Sequence, residues 1–277
     1  MQLGAIFMGQ AVFNVELPKP EDEVIPGVPW GSIEKFLTPA YWAYQVYARR
    51  LTGDRINYKL GSTLKEEVGA CLLGGHGIPA NVGIAAFNHL RNSGAFEVKP
   101  PSEEKLLEWL KEPLEVDGRQ VRYRFAKQKA RYLCAALRRL SEEQPPLDTG
   151  KSLRNWLLDI PGIGYKTASW VARNWLDADD VAILDIHILR AGLLGNFFDS
   201  HLTVERHYLK LEEQFIRFSI ALGVRASELD ALMWMEMMSS PATVHSIMGM
   251  GRQTIASSQR RRTKKSETYS GQLSLLC

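Results

Sequence analysis

From about residue 62 to residue 240, the apolar residues of this 277-residue chain recur at spacings of three and four, and glycine or proline stands at the breaks. That spacing puts apolar side chains on one stripe of a helix, so the pattern predicts packed helices. The series runs through "TLKEEVGACLLGG", "PANVGIAAFNHLRNSGAF", "SEEKLLEWLKE" and "FAKQKARYLCAALRRLSEE". It continues in "GKSLRNWLLDIPGIGYKTASWVARNWL", "VAILDIHILRAGLLGNFF", "TVERHYLKLEEQFIRFSIALG" and "RASELDALMWMEMMSS". No strand pattern of any length interrupts it. Ser102 and the glycines Gly74 and Gly75 stand where helix ends want them. The fold class expected is all-α.

The ends of the chain read differently. Residues 1–37 are rich in proline and acid, and predict an irregular, mostly extended segment with one strand at "GAIFMGQAVFNV". Thr38 and Pro39 then form an N-cap and first helical position opening "PAYWAYQVYARRL". After Met250 the chain is polar, basic and serine-rich, which predicts a disordered tail. The domain division expected is an N-terminal extension over 1–60, a helical domain over 61–249 and the basic tail over 250–277.

Hydrophobic content of 45% and charged content of 23% suit a globular chain with a core. The N-terminus lacks a basic leader and a small-residue cleavage site, and no apolar run approaches a membrane span. The expectation is a cytoplasmic protein without membrane contact. Cys71, Cys134 and Cys277 are odd in number and far apart, which argues against a disulfide framework and excludes a four-cysteine cluster within one chain. The net charge of +3 is unevenly placed. The tail carries Arg252, Arg260, Arg261, Arg262, Lys264 and Lys265 against Glu267 alone, so the rest of the chain is slightly acidic. Nucleic-acid binding is permitted by this balance without being required by it.

Within the helical series, "LLDIPGIGYKTASWV" joins two helices by the four residues "PGIG". That is the pattern of a helical hairpin. Its glycines allow unusual backbone angles and close approach, and the amides opening the second helix make an anion site suited to a DNA phosphate. A nucleotide P-loop needs GxxxxGK[ST] after a strand, and the spacing here is GxGxK after a helix. An ordinary helix–helix turn is the plain alternative.

Lys166 falls in the first turn of the second helix, where the helix dipole disfavours a cation. There, with partial burial, an ammonium loses proton affinity, and a neutral amine attacks a sugar aldehyde carbon to form a Schiff base. A solvated lysine touching phosphate is the competing interpretation. Nineteen residues later, "VAIL" ends at Asp185, a carboxylate at a helix start that serves either as a cap or as a stabiliser of positive charge on a sugar. His187 and Arg190 lie within phosphate reach of the same helix start, and local packing is the plainer account of His187.

Together, "IPGIGYKTASWVARNW" and "DDVAILDIHILR" resemble the helix-hairpin-helix, Gly/Pro-rich loop and aspartate module of DNA glycosylases. Lys166 and Asp185 stand where bifunctional members carry their catalytic pair. The chain is most similar to the short second family of 8-oxoguanine DNA glycosylase/AP lyases of archaea and some bacteria, and "VRYRFAKQKARYL" and "SELDALMW" have counterparts there. The likeness spans about residues 62–245. It implies two helical subdomains around a DNA-binding cleft with the hairpin at its mouth. It also implies Lys166 as Schiff-base nucleophile and Asp185 as catalytic carboxylate. Gly162, Gly164 and Tyr165 would meet DNA phosphate together with His187 and Arg190. The family's hairpin carbonyls often hold a monovalent cation, and no other cofactor or side-chain metal site is implied.

Trp234 would line the base pocket, with core packing as its alternative, since "LDALMWMEMM" is apolar nearly throughout. Two departures bear on the substrate. Gly74, Gly75 and His76 replace a polar and aromatic base-reading segment with a roomier wall, and the chain runs some 40 residues past Trp234. The expected function is excision of a modified base, 8-oxoguanine first, from duplex DNA by a monomer, with cleavage of the abasic site. A bulkier base, including hypermodified phage DNA in antiviral defence, is the second form. A non-catalytic DNA-binding hairpin is the third.

Overall fold

The computed structural model describes residues 1–53, 59–75, 77–244, 246, 247 and 249. The chain divides into two compact units, one built from Met1–Ile56 and Leu184–Cys277 and the other from Asn57–Ile183. The first 56 residues are thus grouped with the C-terminal helices.

The chain opens with an antiparallel pair, β1 (Gln2–Met8) and β2 (Ala11–Leu17), in which Ile6 faces Phe13 and Gly4 faces Val15. This corrects the expectation of an irregular segment with one strand. Gly9 takes φ +59°, a left-handed turn residue that folds the apolar run back on itself. Gly4, Ile6 and Leu17 are buried on one face while Leu3, Phe7 and Val12 are exposed on the other. A short pair follows, β3 (Glu23–Ile25) and β4 (Val28–Pro29). Helix α1 (Pro39–Thr52) starts as the sequence predicts: the Thr38 hydroxyl accepts from Tyr41 N at 3.1 Å, with proline inside the first turn.

The second unit holds α2 (Leu64–Leu73), α3 (Ala80–Asn92) and α4 (Glu103–Lys111), the first capped by Thr63 and the last by Ser102. Two short strands then intervene, β5 (Leu114–Val116) and β6 (Arg119–Val121). They correct the expectation that no strand breaks the helical series. Asp117 at φ 52° and Gly118 at φ +73° form the two-residue turn, and a D-G pair between alternating residues is a hairpin signal. Helices α5 (Ala126–Glu142), α6 (Gly150–Leu157) and α7 (Tyr165–Leu176) complete the unit. Leu72, Leu73, Leu90, Leu106, Leu133, Leu137, Leu153 and Leu157 are fully buried together and form its core.

The chain then returns to the first unit with α8 (Ile186–Leu194), α9 (Val204–Ala221) and α10 (Ala226–Ser239). Phe197 stacks on Phe218 at 3.9 Å, and Phe215, Leu211, Leu229 and Met233 are buried in the same unit. Helix α1 packs on α10. Arg50 reaches Glu228, and Arg49 and Tyr41 both reach Glu236 at 3.3 Å. Among the described residues no helix is long and apolar enough to cross a membrane.

Candidate active site

The hairpin forms as the sequence predicts. Helix α6 ends at Leu157, the chain turns through Pro161, Gly162 and Ile163, and α7 begins after Gly164. Asp180 fixes the other end of α6, accepting from Gly150 N at 3.0 Å and Lys151 N at 2.9 Å. Gly162 is required for two reasons. It sits at φ +85°, and a β-carbon there would run into the Tyr132 ring from α5. Gly164 is the N-cap of α7 and contributes no side-chain cap, so the positive end of the helix stays open to an outside anion. Gly162, Gly164 and Tyr165 are all exposed.

Lys166 lies in the first turn of α7 and is exposed. Of the two settings weighed for it, partly buried or solvated, the structure shows the solvated one: the buried residues of α7 start at Ala168 and Ser169, on the side facing the core. One turn on, Trp170 is half-buried and shares the Lys166 side of the helix by its i, i+4 spacing. Its Cη2 lies 3.9 Å from where a Gly74 β-carbon would stand. The structure thus brings the glycine loop after α2 to the helix that carries Lys166. Sequence reasoning missed Trp170, although four-residue spacing from the lysine was a usable signal.

The same loop is held by two further residues that the sequence did not single out. Tyr123 donates its hydroxyl to Leu73 O at 2.5 Å. Lys129 donates from Nζ to Leu72 O at 2.5 Å and Gly74 O at 3.1 Å. These side chains satisfy carbonyls at the end of α2 that its own ladder leaves open. Burial lowers the pKa of the Lys129 ammonium and raises that of the Tyr123 hydroxyl. Gly83 of α3 approaches as well, since a β-carbon there would be 3.3 Å from Gly74 Cα. Gly75 takes φ +105°. His76, expected in this wall, lies outside the described residues, as does the basic tail expected after residue 250.

Beneath the loop is a buried polar cluster. Glu67, fully buried on α2, accepts from Leu60 N at 2.7 Å, Gly61 N at 2.9 Å and Asn174 Nδ2 at 2.8 Å. Cys71 lies at hydrogen-bond range of the same carboxylate, and burial pushes its thiol pKa well up, with Glu67 adding to the shift. A buried, inert thiol suits a structural cysteine.

Asp185 is the N-cap of α8, its Oδ1 accepting from His187 N at 2.8 Å and Ile188 N at 3.2 Å. The cap role weighed for it is therefore present, and the side chain remains half-buried. The preceding Val181, Ala182 and Leu184 are buried, as an apolar run ending at an acid predicts. His187 and Arg190 are half-buried on α8, which packs on α10 in the same unit. Trp234 on α10 is half-buried, whereas Leu229, Leu232, Met233 and Met237 form the buried face, so its ring is not wholly core. The expected site residues thus fall into two groups. Lys166, Gly162, Gly164, Tyr165, Gly74 and Gly75 belong to the second unit; Asp185, His187, Arg190 and Trp234 belong to the first.

Backbone oxygens are suitable donors for a monovalent cation at the hairpin. Ile160 O already accepts from Ile163 N at 3.1 Å and Gly164 O from Ala168 N at 2.9 Å.

An exposed lysine in the first turn of a helix behind a glycine turn, in a mostly helical unit, is the arrangement implied by the resemblance to helix-hairpin-helix DNA glycosylases. Comparison with known families fixes the assignment further. Residues 56–224, more than half of the chain, match the family described as 8-oxoguanine DNA glycosylase, and the chain belongs to that family. It is 33% identical over 129 residues to the 8-oxoguanine DNA glycosylase/AP lyase of Methanocaldococcus jannaschii, covering 45% of this chain and 62% of that one. It is 36% identical over 123 residues to the protein of the same description from Saccharolobus islandicus strain Y.N.15.51, covering 41% and 58%. The chain thus spans about three fifths of the length of the curated relatives it matches. The crystal structure of the 8-oxoguanine DNA glycosylase of Thermotoga maritima shares the fold at a TM-score of 0.50 and 22% identity, over 71% of this chain and 95% of that one.

Proposed function

We propose that this protein is a DNA glycosylase with abasic-site lyase activity, acting on 8-oxoguanine flipped out of duplex DNA. The observation that carries this is the position of Lys166: exposed, in the first turn of α7, two residues after the open N-cap Gly164. Family membership and the aspartate nineteen residues on support it.

In this account the hairpin amides hold a DNA phosphate and the target nucleotide leaves the stack, because its sugar carbon is out of reach in the duplex. The Lys166 amine attacks C1′ while the C1′–N bond breaks, and the electron pair leaves with the base, which takes up a proton. The Asp185 carboxylate stabilises the positive charge that develops on the sugar. The ring C1′–O bond then opens to give the Schiff base. Removal of a C2′ proton and loss of the 3′ phosphate cleave the strand, and water releases the lysine. Bound DNA, closing over an exposed amine, supplies the water exclusion that the free protein lacks. Gly74 and Trp170 form one wall for the base. Every role in this account falls to one chain, as expected of a monomer.

Borohydride trapping on duplexes carrying 8-oxoguanine or an abasic site tests the proposal. A covalent adduct on both duplexes, absent in Lys166→Gln, is expected. An adduct on the abasic duplex alone would move the substrate to another base. No adduct on either would reject the lysine chemistry.

A further inference from the structure

Between Asp117 and Glu142 the chain has no acidic residue, and its cations cluster at the junction of β6 and α5. Arg122, Arg124, Lys127 and Arg131 are all exposed, and among the described residues none is in an ion pair. We infer that these four residues form a phosphate track that binds duplex DNA on one flank of the hairpin. The inference rests on the proposed function for its polyanion.

Geometry places the four side chains in one strip. Residues 121–124 alternate: Val121 and Tyr123 face inward while Arg122 and Arg124 face out. On α5, Lys127 and Arg131 are one turn apart, and Ala130, Leu133, Cys134 and Leu137 hold the opposite, buried side. The neighbouring row of the helix is Gln128 and Tyr132, joined by a 3.0 Å hydrogen bond, and it is the Tyr132 ring that packs beneath Gly162. The strip is therefore continuous with the phosphate-binding turn. Two of its guanidinium groups lie over neighbouring rings, Arg124 over Phe125 at 5.1 Å and Arg131 over Tyr132 at 5.3 Å, which limits their wandering. The acids closest in sequence are Glu115, at the far end beside Gln120, and Asp117, held by Asn81 Nδ2 at 2.7 Å.

A duplex is favoured over a protein partner because the strip is purely cationic and has no apolar centre of the kind a protein interface uses.

The test is affinity for an undamaged 25-base-pair duplex measured across a salt series, for the wild type and for Arg122→Ala/Lys127→Ala/Arg131→Ala. Each lost phosphate contact lowers the slope of log affinity against log salt by about 0.9, so the triple variant should lose about 2 to 3 units of slope. The corresponding Arg→Lys/Lys→Arg triple should keep the slope, and thermal melts should report a folded protein in both. A wild-type slope in the folded alanine variant overturns the track and leaves the lysine chemistry standing. Absence of a trapped adduct in the wild type would count against the chemistry while leaving the track intact.

Discussion

Asn174 donates its side-chain amide to Glu67 Oε1 at 2.8 Å, and this buried bond ties the helix that carries Lys166 in its first turn to the helix capped by Gly74. The catalytic candidate and the loop beside it therefore share one rigid support.

Removing that support is costly. Glu67→Ala leaves Leu60 N, Gly61 N and the Asn174 amide without their acceptor in the interior. A loss of about 3–5 kcal/mol is expected, from unsatisfied buried donors and a cavity together. Urea unfolding of the variant against the wild type measures it. A change below about 1 kcal/mol would show that water replaces the carboxylate.

Gly162→Ala should damage the hairpin locally. It forces a β-carbon into φ +85° and against the Tyr132 ring. The strain costs about 1–3 kcal/mol, and duplex affinity should fall several-fold. Pairing it with Tyr132→Ala relieves the clash but not the backbone strain, so binding should recover only in part.

Asp185→Asn separates capping from chemistry. Asparagine caps a helix as well as aspartate does, so stability should change by less than about 1 kcal/mol. Base excision should nonetheless fall by about 100-fold or more, because the neutral amide no longer stabilises a cationic sugar. Single-turnover kinetics together with a thermal melt read both quantities, and equal retention of both would return Asp185 to a purely structural cap.

Lys129→Met should loosen the wall of the base pocket. It removes the donor to Leu72 O and Gly74 O while keeping much of the side-chain volume. Excision of 8-oxoguanine should slow several-fold while cleavage of an abasic duplex, which needs no base contact, stays near the wild-type rate. A parallel fall in both rates would mean that Lys129 supports the fold rather than the pocket.

Stability at high pH should follow Tyr41. Burial first, and the neighbouring Glu236 second, raise its hydroxyl to about 12. In the unfolded chain a tyrosine ionises near its ordinary value of 10. The folded state therefore holds the proton more tightly, so this contribution is complete below pH 10 and is lost between pH 10 and about 12. The stability difference between wild type and Tyr41→Phe should shrink across that window in denaturant melts.

The local sequence by itself determined most of the helices and the hairpin. Thr38, Thr63 and Ser102 cap where their side chains can accept a backbone proton, and Gly162 turns where only glycine is tolerated. These are short-range effects, decided within a few residues. The strands were legible in principle, from Gly9 and from the pair Asp117 and Gly118, but a glycine inside an apolar run reads as easily within one strand as between two.

Tertiary structure alone decided the surroundings of the site. The exposure of Lys166, the contact of Trp170 with the glycine loop, and the grip of Tyr123 and Lys129 on the end of α2 join residues dozens of positions apart. So do the bonds from Arg49 and Arg50 that bind α1 to α10. Which distant side chain finds an open carbonyl or a buried carboxylate depends on how the helices pack, and helical periodicity says which face is buried without saying against what.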